Sequence, residues 1–266
     1  MIADVLYKMS TKVASSIVIK LIENNLFGLR ILCYHSLSDF PQLVYPNINT
    51  SISLFKRQME FLKFNNYTCL NFDELHQFLD GKEKVPEKSF IITFDDGFKN
   101  VYTHAFPVLE AYDYYGILFV PTNFIGGSNI DKNKNKLFQP LSEKEIHTLS
   151  KSGRFLIGSH GCSHTPMTNL ENQKLIDELK FSKNILENIV EKEVVHFAFP
   201  NGRYNPRVMK ITASIYKYVY STKKGLNREM KNLKTPIFRH SINDDCSFED
   251  FVVQMKGGYD WIRYIC

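Results

Sequence analysis

Five short apolar segments, separated by helical patterns, constrain the fold of this sequence more than any other feature. They are residues 29–34, 89–94, 116–121, 155–158 and 194–199. Each is largely apolar on both faces, which is typical of strands buried in a parallel sheet. Helical stripes lie between them: one runs through Phe55, Met59 and Leu62 after a predicted N-cap at Ser53, one covers residues 142–152, and one runs from Leu175 to Ile189. Strands that alternate with helices predict βα units in a parallel sheet or barrel.

Polar side chains follow four of these segments at the point where each ends. His35 follows the first, and Asp95 and Asp96 follow the second. Ser159, His160 and then His164 follow the fourth segment, while Pro200 and Asn201 follow the fifth. The carboxyl ends of the strands in a (β/α) barrel meet on one face, where the chemistry of such proteins is found. The sequence therefore predicts that these residues lie together.

The adjacent carboxylates and the two histidines indicate a metal site. Two carboxylates at the end of an apolar strand repel each other and lose hydration, unless a cation neutralises one of them. His160 and His164 are four residues apart, a spacing that can place two imidazoles on one metal. Two histidines and one aspartate are a common catalytic metal set, which leaves the second aspartate as a base. The alternatives are a turn with a helix N-cap at Asp95–Gly97 and a solvated histidine pair.

Composition narrows the class of protein. The chain has 266 residues, of which 44% are hydrophobic and 23% charged, and no Gly/Ser/Pro-rich linker divides it. This balance predicts a single globular domain over residues 29–266. The net charge of +5 comes without a Lys/Arg block, so we expect no nucleic-acid partner. The five cysteines are odd in number and form no CxxC pair, which argues against a disulfide framework and a zinc knuckle.

The first 28 residues have the pattern of an amphipathic helix. Ile2, Val5, Leu6 and Met9 begin an apolar stripe that continues to Leu21, with lysines off the stripe. Such a helix either packs on its own domain or contacts a membrane surface through residues 2–26. No signal-peptide pattern and no apolar stretch of about 20 residues is present. We therefore expect a protein without a transmembrane helix, in the cytoplasm or at the inner membrane face.

Three ordered motifs resemble those of one family. They are Thr93-Phe94-Asp95-Asp96-Gly97, Ser159-His160-Gly161-Cys162-Ser163-His164 and the segment Phe197 to Tyr204, which reads FAFPNGRY. Together they resemble the polysaccharide deacetylases (NodB-homology, carbohydrate esterase family 4), with Gly161 in place of the usual Ser or Thr. The resemblance implies a distorted (β/α) barrel. It also implies removal of N-acetyl groups from N-acetylhexosamine residues of a glycan. The expected location inside the cell suggests a cell-surface polysaccharide before its export, as a polymer or as a lipid-linked or sugar-nucleotide precursor.

The resemblance also implies roles for residues. Asp95 would be the general base, while Asp96, His160 and His164 would hold one divalent metal, with zinc favoured. Pro200 and Asn201 would shape the substrate groove, and a backbone N–H near Asn201 would stabilise the oxyanion.

Two departures from the family pattern leave alternatives open. Many members have an arginine at the position of Ala198, where it orients the catalytic aspartate; Arg203 or Arg239 could replace it, or the role is absent. The late Leu-x-His that supplies the acid in many members has no clear copy here. The chain instead resembles the poly-N-acetylglucosamine deacetylase branch, with Tyr34 and His35 forming its Tyr-His motif. We therefore expect His35 to be the acid and Tyr34 to contribute to substrate binding, with His240 as the second candidate for the acid.

Other functions are compatible with the same motifs. A glycan-binding pseudoenzyme is one, because Ala198 and the missing late histidine weaken the catalytic pattern. An intact set of four metal and base residues argues against it. An O-acetyl esterase or an amidase acting on a non-sugar substrate is another, and the motifs do not separate it from an N-deacetylase.

Overall fold

The structure is a computed structural model that describes residues 28–39, 46–127, 139–228 and 235–258. The predicted helix within residues 1–28 therefore lies outside the described residues, apart from Gly28. The strands are β1 (Arg30–Tyr34), β2 (Ser36–Leu37), β3 (Asn49–Thr50), β4 (Thr68–Cys69), β5 (Ser89–Phe94), β6 (Gly116–Val120), β7 (Phe155–Ser159), β8 (His196–Ala198), β9 (Tyr218–Tyr220) and β10 (His240–Ser241). The α-helices are α1 (Ile52–Phe64), α2 (Phe72–Leu79), α3 (Phe106–Tyr112), α4 (Glu143–Lys151), α5 (Asn172–Val190), α6 (Pro206–Thr212) and α7 (Phe248–Met255).

The main sheet is parallel and curls towards a closed barrel. Its strand order is β10-β1-β5-β6-β7-β8-β9, and β4 adds to the start of β5. The segment that enters β10 also contacts the other edge of the sheet, since Ile237 forms a parallel bridge with Tyr220 of β9. Residues 237–241 thus connect β9 to β1 and bring the late part of the chain into the barrel.

Apolar side chains fill both sides of this curled sheet. Inside the barrel lie Ile31, Ile91, Phe119, Tyr220 and their neighbours, with α2 packed against the same cluster. Outside it, alternate strand residues pack against the surrounding helices, as Tyr34 and Phe94 do with Phe55 of α1. Successive residues of a strand point to opposite faces. Each strand that is apolar at every position is therefore buried on both sides, as the sequence predicts.

Several of the helices have an N-terminal residue whose side chain caps the first turn. Ser142 caps α4 and exchanges hydrogen bonds with Glu145, and this agrees with the helix predicted over residues 142–152. The predicted cap of α1 at Ser53 is wrong, because the Ser51 hydroxyl accepts the hydrogen bond from the Leu54 N–H at 3.2 Å. Ser53 lies in the first turn instead. Among the described residues, no helix is long and apolar enough to cross a membrane.

Candidate metal and catalytic site

The predicted site residues lie at the carboxyl ends of the barrel strands. Asp95 and Asp96 follow β5, and the Asp95 N–H donates to the Tyr34 carbonyl oxygen at 2.9 Å. Asp96 has a φ of +71°, so the chain turns sharply at the second carboxylate. His160 follows β7, and its N–H donates to the Val120 carbonyl oxygen at 3.1 Å. Backbone hydrogen bonds between neighbouring strands thus position the segment that carries the two aspartates and the segment that carries His160.

Asp96, His160 and His164 form a cluster that can hold a metal ion. Their ligand atoms all lie within 4.8 Å of one another. Asp96 Oδ1 is 3.1 Å from His164 Nε2 and 3.5 Å from His160 Nε2. This oxygen is buried, and within the described part of the chain it receives no well-directed hydrogen bond. A carboxylate oxygen that faces two imidazole nitrogens fits a shared cation, and this ligand set is common for zinc.

The tautomer of His160 also fits metal binding. Its Nδ1 lies 2.8 Å from the Ala198 carbonyl oxygen, which can only accept, so Nδ1 carries the proton. This leaves the lone pair of Nε2 directed at the cluster, an arrangement found around metal-bound histidines. Burial lowers the pKa of His160 to about 4, although the charge of Asp95 opposes the shift. His160 is therefore a neutral imidazole at physiological pH, as a metal ligand must be.

The loop between the two histidines is held from α5. One carboxylate oxygen of Glu178 accepts hydrogen bonds from the N–H groups of Cys162 and Ser163, at 2.9 and 2.6 Å. Gly161 has a φ of +78°, and a Cβ there would lie 2.6 Å from the Met167 side chain. The positive φ favours glycine at this position, where similar motifs have Ser or Thr. Sequence reasoning missed Glu178, because it lies within a helix and belongs to none of the three motifs.

Asp95 is paired with Arg239, which immediately precedes β10. Arg239 Nη1 donates to Oδ1 at 2.6 Å, and Nη2 donates to Oδ2 at 2.8 Å. The guanidinium is fully buried, lies over the Phe119 ring at 5.2 Å and also donates through Nε to the Ser221 carbonyl oxygen. Burial by itself would raise the pKa of Asp95, but the charge of Arg239 outweighs it and holds that pKa well below its usual range. Asp95 is thus an oriented carboxylate that stays ionised.

Cys33 and His35 complete the surroundings of Asp95. The Cys33 thiol donates to Asp95 Oδ2 at 3.6 Å, and burial raises its pKa so that it stays protonated. His35 is half-buried, and its ligand atoms lie within 4.8 Å of those of Cys33 and Asp95. Cys33 was not predicted as a site residue. The signal was present, because residues two apart on a strand share a face, so Cys33 accompanies His35.

The other predicted site residues have different surroundings. Pro200 and Asn201 form a tight turn directly after β8, with Asn201 exposed at a φ of +56°. The prediction that Tyr34 binds substrate is wrong for its side chain, which is buried outside the barrel and donates to Gln58 Oε1 at 2.8 Å. Strand alternation is the reason, since Tyr34 faces opposite to Cys33.

Two further predicted residues have other surroundings. His240 is fully buried, and its Nε2 donates to the Gly225 carbonyl oxygen at 3.1 Å. Arg203 is exposed in the loop after β8 and is therefore not the partner of Asp95. Of the two arginines that could replace the one missing at Ala198, the structure brings only Arg239 to the carboxylate.

Comparison with known proteins assigns the family. The family model described as polysaccharide deacetylase matches residues 82–219, which is more than half of the chain. The chain belongs to the polysaccharide deacetylase family. This confirms the resemblance seen in the motifs, and the relatives include N-deacetylases, which are hydrolases of amide bonds.

Individual relatives of this polysaccharide deacetylase agree with that assignment. YxkH of Bacillus subtilis, which carries a provisional assignment as a polysaccharide deacetylase, is 30% identical over 68% of this chain, a match that spans 60% of YxkH. The poly-beta-1,6-N-acetyl-D-glucosamine N-deacetylase of Staphylococcus epidermidis is 26% identical over 83% of this chain and 78% of that protein. The crystal structure of BC0361, a polysaccharide deacetylase from Bacillus cereus, matches with a TM-score of 0.72 and 26% identity over 86% of this chain and 69% of that one. The predicted distorted (β/α) barrel is confirmed by this match.

Proposed function

We propose that this chain is a metal-dependent hydrolase that removes N-acetyl groups from N-acetylhexosamine residues of a glycan. The observation that carries the proposal is the pairing of two units on one barrel face. One is the cluster of Asp96, His160 and His164, and the other is Asp95 held by Arg239. The S. epidermidis relative, named for N-deacetylation of a polymer of N-acetylglucosamine, supports the same substrate class.

Each residue of the site has a separate role in amide hydrolysis. Asp96, His160 and His164 would hold a divalent metal, with zinc favoured, which would supply Lewis acidity towards the acetyl carbonyl and towards water. Asp95 accepts the proton of the attacking water as a C–O bond forms. Arg239 keeps the Asp95 carboxylate in one orientation and ionised. His35 donates a proton to the nitrogen as the C–N bond breaks, so that water and the amide give acetate and an amino sugar.

The surroundings of the carbonyl complete this proposal. The turn at Pro200 and Asn201 lies next to Ala198, whose carbonyl oxygen fixes the His160 ring. A backbone N–H of this turn would stabilise the developing oxyanion. The natural substrate would be a cell-surface glycan or its lipid-linked or sugar-nucleotide precursor. Placement in the cytoplasm or at the inner membrane face, with membrane contact through residues 2–26, stays a prediction.

Acetate release is the test of this function. We expect release from N-acetylglucosamine oligosaccharides, loss of release with a chelator, and recovery when zinc is added back. Asp95→Asn should keep the metal but lose about 10²- to 10⁴-fold in rate, since general-base catalysis is removed. His35→Ala should behave in the same way, whereas His240→Ala should retain its rate because the buried His240 imidazole donates to the Gly225 carbonyl oxygen.

Several outcomes would contradict the proposal. Full activity of Asp95→Asn would contradict the role of Asp95 as the general base. An active His35→Ala beside an inactive His240→Ala would move the acid to His240. Release only from O-acetylated sugars in the same panel would show an esterase. Binding of the oligosaccharides without any acetate release would favour the pseudoenzyme.

A further inference from the structure

A pocket of about 520 Å³ lies on the same barrel face as the metal cluster. Thr168 from the loop after β7, residues 202–206 after β8 and Lys223 after β9 line it. His160 and His164 belong to the same β7 loop as Thr168, so the pocket is the next space around the rim of the barrel. Its volume falls within the range of about 300–1,000 Å³ that is usual for ligand sites.

Close packing against neighbouring residues holds the walls of this pocket in place. The Tyr204 ring stacks on Phe199, with centroids 5.5 Å apart and planes 14° apart. Gly202 has a φ of +65°, and a Cβ there would lie 1.9 Å from Thr222 Oγ1, so the loops after β8 and β9 touch closely. A rigid wall of this kind lets a pocket bind a ligand with little loss of conformational entropy.

The charges that line the pocket have one sign. Arg203 and Lys223 are both exposed, and no carboxylate lines the pocket among the described residues. Within the same residues neither cation takes part in an ion pair; Lys223 Nζ instead lies 5.3 Å from the Tyr204 ring centroid. Two cations without an acidic partner beside a binding face attract anions. Arginine can also bind a carboxylate or a phosphate through two hydrogen bonds.

We propose that this pocket is a subsite for an anionic group of the substrate, a carboxylate or a phosphate next to the N-acetylhexosamine that is deacetylated. Arg203 and Lys223 would contact the anion, with Tyr204 as the floor of the subsite. This inference rests on the proposed function, because it deepens the specificity of the same face. It selects acidic or phosphorylated glycans over neutral homopolymers.

Binding and acetate release with three probes test the subsite. The probes are a neutral N-acetylglucosamine tetrasaccharide, a tetrasaccharide that alternates N-acetylglucosamine with glucuronic acid, and N-acetylglucosamine disaccharide 1-phosphate. Kd is measured by calorimetry on zinc-loaded protein with Asp95→Asn, so that turnover does not interfere, and kcat/KM on the unmodified site. We expect at least one anionic probe to bind more tightly than the neutral one, and the anionic arm that does so identifies the source of the charge.

Charge removal gives the second arm of the test. Arg203→Gln together with Lys223→Gln should weaken the preferred anionic probe about tenfold, the scale of two exposed ion pairs, and leave the neutral probe within about twofold. The preference should also fall as salt is raised. Lys84→Gln together with Lys192→Gln is the matched control, because both lysines are exposed and precede β5 and β8, at the opposite end of the barrel.

The outcomes separate this inference from the proposed function. Equal affinity for neutral and anionic probes, an equal effect of the control pair, or no binding of any probe would overturn the subsite. Acetate release from the neutral probe would still support the deacetylase in the first two cases. Preferential binding of an anionic probe without acetate release would support the subsite and contradict the proposed activity.

Discussion

The buried pair of Arg239 and Asp95 gives the sharpest prediction for stability. Its two hydrogen bonds are 2.6 and 2.8 Å long, and both side chains are at most 2% exposed. Removal of one partner from such a pair leaves an uncompensated charge away from water and costs about 3–5 kcal/mol. We expect Arg239→Ala to lower the free energy of unfolding by that amount. Lys151→Ala removes a pair with Glu191 whose side chains are 48% and 66% exposed, and should destabilise the protein far less than Arg239→Ala, because water screens an exposed pair.

A double-mutant cycle separates the charge pair from the packing of Arg239. Arg239→Ala also removes the contact with the Phe119 ring and the hydrogen bond to Ser221, and these losses are the same in any background. In an Asp95→Asn background no carboxylate is left unpaired, so Arg239→Ala should cost about 2–3 kcal/mol less. Urea unfolding of the four proteins in chelator measures the cycle without a contribution from bound metal. Additive costs within about 0.5 kcal/mol would refute the pairing.

Three further predictions concern residues away from Asp95. Burial keeps the pKa of His196 well below 6.5, so unfolding takes up a proton at this side chain. The contribution of His196 to the free energy of unfolding then falls by about 1.4 kcal/mol per pH unit below about pH 6.5. His196→Gln should therefore unfold with a shallower pH dependence between about pH 6.5 and pH 5, and an identical slope would contradict the assignment. Gly202→Ala should lower the melting temperature more than Gly153→Ala does. Both glycines have a positive φ, but only at Gly202 would an added Cβ clash with Thr222. Equal melting temperatures would show that the loops after β8 and β9 are not in contact. Glu178→Ala should weaken zinc binding about 10- to 100-fold by releasing the histidine loop, and unchanged affinity in a zinc titration would show that the loop needs no such support.

The strands and their polar ends could be predicted from the sequence because those signals are local. Residues 89–94 are apolar except for Ser89 and Thr93, and β5 covers those residues in the structure. The motif at Asp95 and Asp96 then follows directly, and the sheet order brings it to the histidines after β7. Such patterns follow the residue periods of strands and helices, so they can be recognised in the sequence without knowledge of the tertiary fold.

The partner of Asp95 could not be chosen from the sequence, because it depends on a long-range return of the chain. Arg239 is 144 residues from Asp95, and only the entry of residues 237–241 between β9 and β1 brings it there. The position of Tyr34, by contrast, could have been predicted from the sequence. Strand alternation alone places Tyr34 outside the barrel and Cys33 inside it. Assigning both residues of the Tyr-His motif to the site overlooked that alternation.

Metal content of single-site variants tests the central claim most directly, that Asp96, His160 and His164 hold the metal while Asp95 acts on the substrate. Each variant is loaded with zinc, dialysed and measured by elemental analysis. We expect about one ion per chain for the unmodified protein and for Asp95→Asn, and strongly reduced content for Asp96→Asn, His160→Ala and His164→Ala. Undiminished zinc in the three ligand variants, or loss of zinc in Asp95→Asn alone, would contradict this division of the two carboxylates.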